Sequence, residues 1–133
     1  MGDWRDETRA DLKNAADRIL ALIAGISGEP TEDQVRSIWR AYLDLEKSIL
    51  FIKVETDEEN PGRFVQVKRY SVPDERQALQ FSLENLRKGS ESFALGDYSR
   101  ALRELREARN YMRMILKAKR KTRTREAKSS RTR

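Results

Sequence analysis

The chain contains no cysteine and no histidine. Disulfides, thiol nucleophiles, zinc sites, haem ligation by imidazole and Ser-His-Asp triads are therefore all excluded. Di-iron carboxylate bundles go with them, because each uses a Glu-x-x-His pair. Glycine and proline are scarce, at six and three residues, while charged residues make up 38% and apolar residues 38%. That balance suits an all-helical protein with heavily charged outer faces. No apolar run approaches the roughly 20 residues of a membrane span. The start, Met1-Gly2-Asp3-Trp4-Arg5-Asp6, is too polar for a secretory signal. Asp6 also stands where a myristoylation signal would carry Ser or Thr. The absences lead us to expect an intracellular, cytoplasmic chain with no metal and no cofactor.

At 133 residues the chain is long enough for one core. Its net charge of +6 is unevenly placed. Residues 117–133 hold nine Lys or Arg against Glu126 alone, a net of +8, whereas residues 1–116 hold 19 basic and 21 acidic residues, a net of −2. We therefore divide the chain into a near-neutral helical domain, 1–116, and a basic tail, 117–133.

Hydrophobic periodicity sets out four helices. Asp3 is placed to cap a first helix running to about Ala24, with Leu12, Ala15, Ala16, Ile19, Leu22, Ile23 and Ile26 as its apolar stripe. Gly25, Gly28 and Pro30 end it, and Thr31 with Gln34 has the form of a capping box for a second helix. Ile38, Tyr42, Leu45, Ile49 and Ile52 share one face there, widened by Trp39, Leu43 and Leu50. Residues 49–54 and 64–70 are also β-rich, so a hairpin across 57–62 competes. Because the three-four spacing is unbroken through Ile52, we expect helix to about Val54 and an extended connector over 64–70. Pro73 and the Asp74–Gln77 pair open the third helix.

Leu79, Leu83, Leu86, Ser90 and Phe93 form one face of that helix. After Leu95-Gly96-Asp97, Tyr98, Leu102, Leu105, Ala108 or Arg109, Met112 and Ile115 form the matching face of a fourth. Gly96 suits a left-handed helix end and Asp97 a cap, and so short a turn makes the two helices antiparallel neighbours. The apolar stripe stops at Leu116. Past it, like charges with no face to bury should fray or stay disordered.

The stretch 74–116, with small residues at Gly89, Ala101 and Ala108 and the Gly96-Asp97-Tyr98 turn, resembles a single tetratricopeptide repeat. It is also similar to short archaeal helical-bundle proteins of unknown function. The resemblance implies close helix packing and transfers no functional residue. Asn85 and Lys88 stand where the repeat carries large apolar residues, and no proline follows near Arg113.

The strongest functional signal is the tail. Lys117, Lys119, Arg120, Lys121, Arg123, Arg125, Lys128, Arg131 and Arg133 form a phosphate-seeking arm, with no aromatic residue to stack on bases. Arg103, Arg106, Arg109 and Arg113 step by three and four into it, so they share a side with Lys117. The bland alternative for this ridge is a solvated face balanced by Glu104 and Glu107. Glu55/Glu58 and Glu104/Glu107 are the nearest carboxylate pairs to a magnesium site, but such a site needs more converging oxygens. Lys68 and Arg69 between aromatics could stack single-stranded bases, though covering the bundle is the commoner fate of such a segment. Trp4, Trp39 and Tyr42 read as core or helix-contact residues. An exposed Trp39 beside Phe51 would instead mark a partner-binding patch.

We thus expect an all-α, antiparallel four-helix bundle with an extended connector between helices 2 and 3 and a basic, disordered C-terminal tail. The expected role is a non-catalytic accessory subunit of a nucleoprotein complex, RNA before DNA, that holds phosphates through Arg106, Arg109, Arg113, Lys117 and the tail. A protein partner, or a second copy, would dock on the bundle. The alternative is a protein-interaction module whose tail is incidental.

Overall fold

A computed structural model of the chain describes residues 3–57 and 74–131, with side chains as far as Ala118. It comprises α1 (Trp4–Gly25), α2 (Glu32–Thr56), α3 (Glu75–Ala94) and α4 (Tyr98–Arg131), with no strand among the described residues. Residues 49–54 are therefore helical, and α2 continues to Thr56. The connector expected over 64–70 lies outside the described residues. No helix among the described residues is long and apolar enough to cross a membrane.

Local chemistry accounts for most helix ends. At α2 both halves of the capping box form: Gln34 N donates to Thr31 Oγ1 at 3.2 Å and Thr31 N donates to Gln34 Oε1 at 2.9 Å. The Gln34 amide also donates to the Gly25 carbonyl at 3.2 Å, tying the end of α1 to the start of α2. Gln77 N donates to Asp74 Oδ1 at 2.8 Å, capping α3. Asp3 departs from expectation. Its carboxylate pairs with Arg5 at 3.1 Å and makes no capping bond, so only its backbone carbonyl serves the first turn of α1.

The α3–α4 turn is a Schellman motif. Gly96 N donates to Phe93 O and Asp97 N donates to Ser92 O, with Gly96 at φ 78°. Asp97 then caps α4 by accepting from Arg100 N at 3.2 Å. Below the turn the two helices lie very close, because a Cβ added at Gly89 would stand 2.7 Å from Leu105 Cδ2. Ala101 and Ala108 are fully buried on the opposing face.

Four helix pairs make the main contacts: α1 with α2, α1 with α3, α2 with α4, and α3 with α4. Residue numbers run in opposite senses in each. Gly25 meets Gln34 while Glu7 meets Lys47; Trp4 meets the Phe93 ring edge-on while Arg76 donates to Ile26 O. Glu46 meets Arg109 while Tyr42 meets Arg113, and Ser92 meets Glu104 while Ser82 donates to Ala108 O. It follows that α2 and α3, which sit diagonally, run the same way. The end of α2 and the start of α3 therefore lie at opposite ends of the bundle. The α1–α2 loop, the start of α3 and the far end of α4 share one end.

Ala15, Ile19, Ile38, Leu45, Ile52, Leu79, Leu86, Leu102, Leu105 and Met112 make a fully buried core. Two expectations are corrected. Trp39, Leu43 and Leu50 do not widen the buried face of α2; they remain 47%, 57% and 57% exposed. The face that meets α1 and α4 is set by Ile38, Ala41, Leu45, Ile49 and Ile52, on the other side of the helix. Secondly, the chain past Leu116 is helical to Arg131 rather than disordered. The buried part of α4 supplies the costly nucleus, and Lys, Arg and Ala propagate it with no Gly or Pro to interrupt.

Candidate nucleic-acid interface

Among the residues whose side chains are described, Leu116 is the last that α4 buries, and Lys117 and Ala118 are exposed. The helix continues to Arg131, which at 1.5 Å per residue carries it ~22 Å further. Lys119, Arg120, Lys121, Arg123, Arg125, Lys128 and Arg131 all occupy positions on this helical extension. The last cation of the expected arm, Arg133, lies outside the described residues. At 3.6 residues per turn, positions 117, 120, 121, 128 and 131 fall within a sector of roughly 100° of the helix. That sector continues the line of positions 103, 106 and 113.

Within the bundle, the arginine ridge divides. Arg103, Arg113 and Lys117 are exposed, whereas Arg106 and Arg109 are partly buried against α2. Arg109 Nη1 lies 3.0 Å from Glu46 Oε1, its side chain only 20% exposed, and Nη2 donates to Asn110 Oδ1 at 3.3 Å. Its Nε is buried without a hydrogen-bond acceptor. Burial lowers the Arg106 pKa, the neighbouring Arg109 charge lowers it further, and Glu46 opposes both. One carboxylate thus sits against two guanidinium groups. Arg113 Nη2 reaches the Tyr42 hydroxyl at 3.5 Å. The arrangement gives a cationic edge whose middle is tied to α2 and whose two ends face solvent.

Glu46 and Tyr42 are residues that the sequence did not single out for this edge. Glu46 is 63 positions from Arg109, and only the packing of α2 on α4 brings them together. Within the Glu104/Glu107 pair, Glu104 accepts from the Ser92 hydroxyl and lies 3.7 Å from Arg100 Nε. No group of three or more metal-ligating side chains occurs among the described residues. Glu58 and the Phe64–Tyr70 segment lie outside them.

A second surface runs between α1 and α3. Leu12, Ala16, Leu20, Ile23, Leu83 and Phe93 floor an open groove of about 860 Å³, and Arg9, Lys13, Glu84, Arg87, Lys88 and Glu91 rim it.

The chain matches no protein-family model, no curated protein and no solved structure.

Proposed function

We propose that this protein is a non-catalytic, nucleic-acid-associated accessory subunit, in which an antiparallel helical bundle carries a cationic helix to the phosphates of RNA or DNA. The observation that supports it is the continuation of α4 to Arg131, past Leu116, the last residue buried among those whose side chains are described. A segment that holds nine cations against one acid in 117–133 has polyanions as its natural partner. Binding is by phosphate contact without sequence choice, since 117–133 offers no aromatic ring for base stacking. Exposed Arg103, Arg113 and Lys117 extend the track onto the bundle. RNA is placed before DNA because arginine-rich segments are a recurrent means of binding it. The setting is cytoplasmic.

The test replaces Lys117, Lys119, Arg120, Lys121, Arg123 and Arg125 together by Gln, which keeps helix propensity while removing charge. At 50 mM salt, fluorescence anisotropy with a 20-nucleotide RNA should show a loss of affinity of roughly a hundredfold or more at unchanged helicity. Equal affinity of the substituted protein would refute the proposal. The α1–α3 groove favours a second reading, a protein-interaction module with an incidental tail. In that case the substituted chain retains its cellular partners after nuclease treatment.

A further inference from the structure

Of the large apolar side chains left exposed among the described residues, Trp39, Leu43, Leu50 and Val54 all belong to α2. They are 47%, 57%, 57% and 67% exposed, and their spacing of four, seven and four keeps them on one outer stripe, opposite the buried face. Phe51 lies beside the stripe, partly buried, with Lys47 Nζ 5.4 Å above its ring. Together these side chains expose roughly 400 Å² of apolar surface, comparable with the largest patches of ordinary monomers, which are often functional.

We infer that this stripe is a self-association surface, and that a second copy of the chain covers it with its own α2 laid antiparallel. The argument is the symmetry of the pattern. A four-seven-four spacing reads the same in both directions, so a reversed copy sets Trp39 level with the second Val54 and Leu43 level with the second Leu50. The same register sets Arg36, at the start of the stripe, level with Asp57, at its end. Opposite charges therefore close both ends of the interface. Such a twofold, self-complementary patch is what an isologous dimer requires. An occupant of unrelated sequence would not need it. The buried area, on the order of 1,000 Å² over both copies, lies at the lower edge of specific interfaces. Association should therefore be reversible and concentration-dependent. Since α4 runs opposite to α2 in each copy, the two basic helical ends would point away from each other. The inference rests on the stripe alone and stands apart from any binding of polyanions.

The absence of native cysteine makes a direct test available. Full-length Leu43→Cys and Leu50→Cys proteins are oxidised separately and as an equal mixture. In the antiparallel register the two copies of residue 43 are ~10 Å apart along the axis, beyond the ~7 Å Cα limit of a disulfide. The mixture should therefore give mostly the 43–50 cross-link, with each protein alone giving little. Sedimentation of the unmodified chain over 5–500 µM should show a monomer–dimer equilibrium. Leu43→Glu, at an exposed site, should weaken it at least fiftyfold with the melting temperature unchanged. Predominant 43–43 and 50–50 cross-links would overturn the inference, and so would a monomer at every concentration. A monomeric Leu43→Cys protein whose introduced thiol resists maleimide would overturn it too, assigning the face to residues 58–73 instead.

Discussion

Gly89→Ala is the sharpest probe of the packing that positions α4. A Cβ at 89 would stand 2.7 Å from Leu105 Cδ2, 2.8 Å from Cγ and 3.4 Å from the Leu105 backbone nitrogen. Rotating the end of the leucine cannot relieve this, because Cγ is itself in contact and Leu105 is fully buried. In an open helix the same substitution would stabilise by ~1 kcal/mol through helix propensity. Overpacking a tight core costs typically about 1–3 kcal/mol. A 2.7 Å approach belongs at the upper end of that range, so a net loss of about 1–2 kcal/mol is expected. The assay is urea unfolding followed by far-ultraviolet circular dichroism, with the midpoint read at constant m-value. Leu105→Ala alone should cost ~2–5 kcal/mol through the cavity it leaves. In that background the clash is gone, and Gly89→Ala should turn stabilising, giving a coupling of about 2 kcal/mol between the two sites. A stabilising effect in the otherwise unchanged protein, or the same effect in both backgrounds, would refute the close approach of α3 and α4.

Three further substitutions separate structure from binding. Thr31→Ala removes the hydroxyl half of the α2 capping box and should cost ~1 kcal/mol in urea unfolding without changing polyanion affinity. Glu46→Gln leaves Arg106 and Arg109 without the Glu46 carboxylate. With Glu46 itself 38% exposed, the stability loss should stay at or below ~1 kcal/mol, while RNA affinity measured by anisotropy should rise severalfold. The Asp44 carboxyl is held above its ordinary pKa, first by burial and then by Asp11, with Arg18 and Lys47 opposing. The folded state therefore binds this proton more tightly than the unfolded chain, so ionisation of Asp44 costs stability as pH rises through and above the carboxyl range. Asp44→Asn should raise the melting temperature slightly at pH 7, and the gain should vanish below about pH 3, where both states are protonated.

Much of the architecture is written in short-range pattern. The Thr31–Gln34 box, the Asp74 and Asp97 caps and the Gly96 turn each depend on residues within five positions, and each forms. The core stripes of α1, α3 and α4 follow helical periodicity for the same reason. Helix α2 is harder to read. Apolar residues lie on both its sides, and only the placement of α1 and α4 decides that Ile38, Leu45 and Ile52 are buried while Trp39, Leu43 and Leu50 stay out. Asp3 has a nearer cation in Arg5, so its carboxylate is diverted from the helix end. Beyond Leu116, charge repulsion argues for disorder, while helix-forming residues growing from a buried nucleus argue for helix; the second prevails. In the candidate site, the run of cations is legible. The sinking of Arg106 and Arg109 against Glu46 is not, because it arises from contacts across about 60 positions.

The central claim is that the cationic end of α4 holds phosphates. Its most direct measurement is the salt dependence of binding to a defined DNA duplex and to the matching RNA duplex, from 50 to 300 mM salt, for the full chain. If about six cations engage phosphates, log affinity against log salt should fall with a slope near −5 for duplex DNA. A slope near zero, or no measurable binding at 50 mM salt with the fold intact, would contradict it.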